Sequence, residues 1–342
     1  MLKNGETFFK HKITRHLGSG AFGDVYLAEN IISKQHQALK VIKTTQSDNI
    51  EFQVGEIRNL ATCNCEYVVK LNEADIVSHN NEKYIAFALE YLKEGSLESK
   101  VKSSEINFRE ILTAIRHILH GLNVAHKAGI IHKDIKPANI MIDKPYFKLS
   151  DFGLSFLKSN VTNTNDLNYV LHAAPELLAG NIADERSDLY AVGMTFFRLV
   201  IPSAFFDLDQ NSISKWLNGK KNKNLPSHLG FPAYLPLRIK KIINKATSVS
   251  PDKRYQTAVE MLHDLEKLQI DIAWKQSADG FNWSGLSDDD NEHVLTLHST
   301  KKYTHCKYKV NRRKPRSWDD IKSNYEEASS AMYKLISKTM LI

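Results

Sequence analysis

The sequence predicts an α+β chain of two lobes, followed by a C-terminal appendage. The first lobe is small and built on antiparallel strands; the second is larger and helical. Three observations predict this. Residues 13–91 read mainly as strands broken by glycine and other turn residues, with one helix among them. Residues 96–268 carry apolar side chains at helical spacing. After residue 270 the composition shifts to an acidic cluster (Asp288, Asp289, Asp290), a basic run over 301–316 and a last amphipathic segment. The 342 residues, 42% hydrophobic and 25% charged, are enough for a sizeable core divided between subdomains.

In the first lobe, KITRHLGSGAFGDVYLAEN reads as strand, glycine turn, strand, and HQALKVIK alternates apolar and polar residues as a half-buried strand does. EFQVGEIRNLA has helical spacing, with Phe52, Ile57 and Leu60 to one side. YIAFALEYL is a continuous apolar strand ending in the polar, glycine-containing KEGSLE, which places a hinge at 92–95. Beyond it, Ile111, Leu112, Ile115, Ile118, Leu119 and Leu122 repeat with a period of about 3.6. Gly129 is a fitting helix stop. Further helices are expected over 188–201, 237–246 and 257–268, the first of them buried. In the appendage Ile321, Tyr325, Ala328, Met332 and Leu335 fall on one helical face, so a terminal helix is expected. No internal repeat is visible.

The formal net charge of +7 is mild and fits an acidic ligand such as a nucleotide, as it fits many soluble proteins. Cys63, Cys65 and Cys306 make neither a zinc quartet nor a paired disulfide framework, which points to a reducing compartment. MLKNGETFFKHKI lacks the apolar run of a secretory signal, and LYAVGMTFFRLVI is too short to span a bilayer and contains Arg198. A cytoplasmic protein without a membrane span is expected.

Four constellations point to chemistry. GSGAFG (Gly18, Ser19, Gly20, Ala21, Phe22, Gly23) lies between two strand patterns, where glycines let backbone approach phosphates. A dinucleotide-binding turn would open a helix; DVYLAE follows here, with strand character. Lys40, on the next strand, could pair with Glu56 on the following helix or with Glu51. IIHKDIKPANIMID sets Asp134, Lys136 and Asn139 among isoleucines, as a catalytic loop requires if apolar walls are to fix polar groups. DFG, at 151–153, follows the short strand FKLS.

Over roughly residues 13–268 these motifs, with APE (174–176), DLYAVG (188–193) and PDKR (251–254), make the chain resemble the eukaryotic-type protein kinases. DIKPAN, with Lys136 two residues after the aspartate, makes it similar to the serine/threonine kinases, including those of bacteria. The resemblance implies the bilobal protein kinase fold and an ATP- and Mg²⁺-dependent enzyme (Mn²⁺ as an alternative) that phosphorylates protein Ser/Thr hydroxyls and itself. Asp151 would hold Mg²⁺ and Asn139 a second Mg²⁺. Lys40, oriented by Glu56, would hold the α/β-phosphates, and Lys136 would steady the γ-phosphate. Asp134 would orient the acceptor hydroxyl and take its proton. Leu17, Val25 and Ala38 would roof the adenine slot and Met141 floor it. The backbones of Glu90 and Leu92 would meet the adenine edge, with Leu89 at the gatekeeper position. Glu176, Arg254 and Asp188 match structural positions: a buried ion pair and a brace for the catalytic loop.

Two departures stand out. His132-Lys133-Asp134 replaces His-Arg-Asp, and lysine cannot reproduce the bidentate grip of arginine on an activation-loop phosphate, so activity independent of such a phosphate is expected. Asn168 and Tyr169 stand where serine/threonine kinases have Gly-Thr. The alternatives are a pseudokinase or nucleotide-gated binding module, a small-molecule phosphotransferase of related fold, and a protein whose appendage binds an acidic partner or nucleic acid through the 301–316 run. In the nucleic-acid reading, Tyr303 and Tyr308 would stack on bases.

Overall fold

A computed structural model describes residues 2–20, 23–44, 50–103, 105–152, 171–201, 224–277, 279–315 and 321–342. The first lobe is a six-stranded antiparallel sheet in the order β1-β2-β3-β4-β6-β5. Its strands are β1 (Thr7–Phe8), β2 (His11–Gly20), β3 (Gly23–Asn30), β4 (His36–Lys43), β5 (Leu71–His79) and β6 (Glu82–Glu90), with helix α1 (Ile50–Thr62) crossing between β4 and β5. β1 is two residues long and carries no alternation, so the sequence does not announce it. Its Phe8 is nonetheless buried with Ile13, Tyr26, Leu39 and Ala88 in a core on one face of the sheet. The β2–β3 hairpin shifts register between Ile13 and Arg15 and again between His16 and Gly18, and ends in the glycine turn.

After the hinge, α2 (Leu97–Lys102) and α3 (Phe108–Lys127) begin the helical lobe. Asn107 and Glu110 form a reciprocal capping box at the start of α3, and Gly129 beyond its end sits at φ +72°, which glycine adopts without a Cβ clash. The six apolar residues singled out on α3 are all buried, as their period requires. A hairpin, β7 (Ile140–Asp143) and β8 (Tyr146–Leu149), leads towards the DFG segment. Then come α4 (Pro175–Leu178), α5 (Glu185–Val200), α6 (Leu225–Leu229), α7 (Leu237–Ala246) and α8 (Ala258–Glu266). α5 is buried from Ser187 to Val200, as a core helix is.

The appendage is a five-stranded antiparallel sheet in the order β13-β12-β11-β10-β9, with one helix. Its elements are β9 (Ile272–Gln276), β10 (Asn282–Ser287), β11 (Glu292–Ser299), β12 (Thr304–Val310), β13 (Ile321–Ser323) and α9 (Tyr325–Thr339). Much of the basic run is β12, where Thr304, Cys306 and Tyr308 face inward while Lys307 and Lys309 stay exposed. Ile321 is on β13 and not on the terminal helix, because Asn324 caps α9 by accepting from the Glu327 N–H at 2.9 Å. The buried face of α9 is Ala328, Ser329, Met332 and Ile336, while Leu335 is partly buried and Tyr325 half exposed. Nor is the appendage separate: Trp274, Trp283, Leu295 and Met332 join the core that holds Leu112 and Phe197. The Trp283 ring meets Tyr234 at 4.7 Å between centroids, Arg109 on α3 pairs with Asp288, and Arg238 on α7 donates to the Ile342 carbonyl. A shift of composition marks a new sheet here, but that sheet's apolar face is spent on the helical lobe.

Candidate active site

Between the lobes lies a cleft of about 520 Å³, in the size range of small-molecule sites. Leu17, Gly18, Ser19, Gly23, Val25, Ala38, Lys40, Glu56, Leu89, Glu90, Leu92, Asn139, Met141 and Asp151 all line it. Gly20 ends β2, and Ala21, Phe22 and Gly153 lie outside the described residues. Sequence reasoning did not include Arg15, Val69, Tyr91, Ser96, Ala138 and Ser150, which also line it. Ala138 sits inside DIKPAN and Ser150 directly before DFG, whereas Arg15, Val69, Tyr91 and Ser96 belong to no chemical motif and reach the cleft through tertiary packing.

Strand register builds the upper wall. Val25 pairs with Lys40 and Lys40 with Phe87, so β3, β4 and β6 place the lysine at the back of the cleft. There Lys40 Nζ donates to both Glu56 oxygens, at 2.7 and 2.8 Å, and stands 3.4 Å from Asp151 Oδ1. The Glu51 side chain lies outside the described residues. Lys40 is 7% and Glu56 3% exposed, so this ion pair is screened little by water. Burial pushes the Lys40 ammonium down, but Asp151 and Glu56 outweigh it and hold it above its ordinary range. Burial drives Glu56 up, against Lys40. Burial also raises Asp151, yet Lys40, His132 and Lys136 together hold its carboxyl below the usual range, so it is an anion at neutral pH.

The lower wall is the loop after α3. Ile135, Ile140 and Ile142 are buried and anchor it, so its polar groups cannot wander. The backbone is strained at two positions, Lys133 (φ +68°) and Asp151 (φ +63°). Such conformations cost about 1–3 kcal/mol each and persist only where surroundings over-determine them. Asp188, fully buried at the start of α5, does this: it accepts the N–H groups of His132 and Lys133 at 2.8 Å each and His126 Nε2 at 2.9 Å. His132 Nε2 donates to the Ser150 carbonyl at 3.1 Å and Nδ1 accepts the Asp134 N–H at 3.3 Å, tying the loop to the segment that carries Asp151. Asn139 Nδ2 donates to the Asp134 carbonyl and to its Oδ2, both at 2.8 Å, and Lys136 Nζ pairs with the same Oδ2 at 2.8 Å.

A divalent metal fits this donor set. Asp151 supplies an anionic oxygen, and Asn139 uses its amide nitrogen on Asp134, so its amide oxygen is not the atom consumed. Among the described residues no group of three or more His, Cys, Asp or Glu gathers to hold a metal. Few protein ligands suffice for Mg²⁺, which keeps several waters and takes the rest from substrate phosphates.

Farther off, Glu176 and Arg254 form a bidentate pair at 2.7 Å, with Arg254 2% exposed. Asn168 and Tyr169 lie outside the described residues, as does the rest of 153–170. Tyr308 is buried with its hydroxyl 2.6 Å from His293 Nδ1, so it cannot stack on a nucleic-acid base.

A two-lobed α+β fold with a lysine–glutamate pair above a cleft and an Asp–Lys–Asn loop below it defines a phosphotransferase class. The protein kinase domain family matches residues 11–265, and the chain belongs to that family. PrkC, a serine/threonine-protein kinase of Bacillus subtilis, is 29% identical over 268 residues, covering 75% of this chain and 40% of PrkC. The serine/threonine-protein kinase PknJ of Mycobacterium tuberculosis is 28% identical, over 77% of this chain and 46% of PknJ. The chain thus spans less than half the length of these curated relatives. A crystal structure of the PknI kinase domain of M. tuberculosis has the same fold, with a TM-score of 0.55 and 22% identity over 78% of this chain and 98% of that one.

Proposed function

We propose that the chain transfers the γ-phosphate of ATP to serine and threonine hydroxyls of proteins, its own included. The observation that carries this reading is the convergence of Lys40, Glu56 and Asp151 on one side of the cleft with Asp134, Lys136 and Asn139 on the other. Phosphoryl transfer asks mainly for charge neutralisation and in-line positioning, which these groups supply without covalent chemistry. Mg²⁺, held by Asp151 and Asn139, would neutralise phosphate charge. Lys40 meets the α/β-phosphates and Glu56 keeps its ammonium from swinging. Lys136 lies against the γ-phosphate as charge spreads over its oxygens. Asp134, pinned by Asn139, receives the acceptor's proton; one such acceptor contributes about 10²–10⁴-fold. Retention of all these groups supports an enzyme over a pseudokinase, and Lys136 supports Ser/Thr over Tyr as acceptor. Incubation with ATP and Mg²⁺ followed by mass-spectrometric mapping tests the reading. Phosphate on Ser and Thr is expected, and phosphate confined to Tyr would overturn the acceptor class.

For the appendage, an acidic protein partner is the favoured reading. Seven Lys and Arg residues fall between 301 and 314 with no Asp or Glu among them, and none makes an ion pair among the described residues. Binding that vanishes between low and high salt is expected; salt-insensitive binding contradicts it. No helix among the described residues is long and apolar enough to cross a membrane. Cys63, Cys65 and Cys306 are joined in no disulfide among the described residues, which supports a cytoplasmic location.

A further inference from the structure

We infer that Lys148 is a positioning residue for the nucleotide, setting the hinge at a fixed distance from the carboxylate of Asp151; this rests on the reading of the cleft as an ATP site. Lys148 belongs to no motif that the kinase reading uses. It lies on β8, three residues before Asp151, and is 9% exposed, an unusual place for a lysine without a task. Its Nζ donates to both carboxylate oxygens of Glu90, at 2.9 and 2.8 Å, and pairs with Asp143 on the neighbouring strand at 2.6 Å. Glu90 is the last residue of β6, where the sheet of the first lobe runs into the hinge. Its Oε1 also accepts the backbone N–H of Lys70 at 2.8 Å.

Each partner comes from a different piece of the cleft. Glu90 is the residue whose backbone would meet the adenine edge. Lys70 leads into β5. Asp143 and Lys148 belong to the hairpin that delivers Asp151. Beside the ammonium, Val69 N–H donates to the Leu149 carbonyl at 2.8 Å and Leu149 N–H to the Tyr67 carbonyl at 2.9 Å. Strand β8 is thus laced to the first lobe by two backbone bonds and one charged side chain. The backbone bonds fix β8 against residues 67–69, and β7 meets the hinge through the Ile142 N–H on the Gly95 carbonyl at 2.9 Å; among the described residues it is the Lys148 side chain that ties β8 to the end of β6. The ammonium is kept charged: burial pulls it down, and Asp143 and Glu90 together hold it above its ordinary range. Without Lys148, the Glu90 carboxylate would sit partly buried and unpaired, and β6 would move to hydrate it. Such a shift changes where adenine hangs relative to Asp151, and a misplacement of about 1 Å can cost up to ~10²-fold.

A merely structural role and a positioning role differ in what they move. A destabilised enzyme loses active molecules, which lowers apparent kcat and leaves KM alone. Lys148→Met is therefore expected to raise KM for ATP, and the Kd of a fluorescent ATP analogue, by roughly 10-fold or more, while KM for an acceptor peptide stays unchanged. Lys148→Arg keeps a charge that reaches a carboxylate in bidentate fashion and should restore most of the affinity. Glu90→Gln, which retains hydrogen-bonding atoms but no charge, should match Lys148→Met, and the double variant should be no worse than either single one. It also keeps the inference testable where Lys148→Met does not fold. If the parent binds the analogue and the folded variants bind it equally well, the clamp is wrong and the kinase reading stands. If the parent binds no nucleotide, both fall.

Discussion

The side-chain amide of Asn139 donates to Asp134 twice, to the backbone carbonyl and to Oδ2, each at 2.8 Å. One residue thereby joins two tasks that the kinase reading assigns separately, holding a metal and aiming the proton acceptor. Asn139→Ala is expected to reduce kcat by roughly 10²-fold through lost orientation and to raise the Mg²⁺ concentration needed for half-maximal rate. A variant with normal Mg²⁺ dependence would remove Asn139 from the metal site.

Two glycines of the β2–β3 turn should fail differently. At Gly23, φ is +133° and an added Cβ would lie 2.5 Å from the Val41 carbonyl oxygen, so Gly23→Ala must distort the empty protein. At Gly18 nothing lies within 4 Å of an added Cβ, so Gly18→Ala should leave the nucleotide-free melting temperature unchanged. Its cost should appear only on nucleotide binding, by about 1–2 kcal/mol, on the order of tenfold in Kd. Equal affinities in Gly18→Ala and parent would mean that phosphates do not approach this turn.

The Glu176–Arg254 pair should govern acid stability. Burial raises Glu176, but Arg254 outweighs it and the carboxyl titrates below 4.5 in the folded chain. A depressed carboxyl contributes stability that is complete above about 4.5 and fades as pH falls through the folded value. Arg254→Met leaves a buried carboxylate unpaired and should cost on the order of 3–5 kcal/mol at pH 7. The difference between parent and variant in urea unfolding should narrow below pH 4.5; a constant difference down to pH 3 would contradict the assignment.

The appendage should unfold with the helical lobe. Trp283, 4% exposed against Tyr234, is part of their shared core. Trp283→Ala should cost about 3–5 kcal/mol and lower a single calorimetric transition. A separate low-temperature transition that alone shifts would show an independent unit.

The sequence was most legible where local chemistry and tertiary role coincide. The α3 stripe is read from its period because Ile111, Ile115, Leu119 and Leu122 all face one core. Lys40, Glu56, Asp134, Asn139 and Asp151 were legible as motifs in a fixed order. Legibility fell where contacts are non-local. Lys148 and Glu90 are 58 residues apart and neither has a local pattern. In the appendage, Lys307 and Lys309 dominated the composition and masked the strand alternation of Thr304, Cys306 and Tyr308. Ile321 fits the helical spacing of α9, and only the cap at Asn324 excludes it.

Phosphate transfer from labelled ATP with Mg²⁺, measured side by side for the parent, Asp134→Asn and Asp151→Asn, tests the central claim most directly. The parent should incorporate label, and both variants, folded to the same melting temperature, should stand near background. A folded parent that transfers no phosphate, or variants that transfer as fast as the parent, would contradict the enzymatic account.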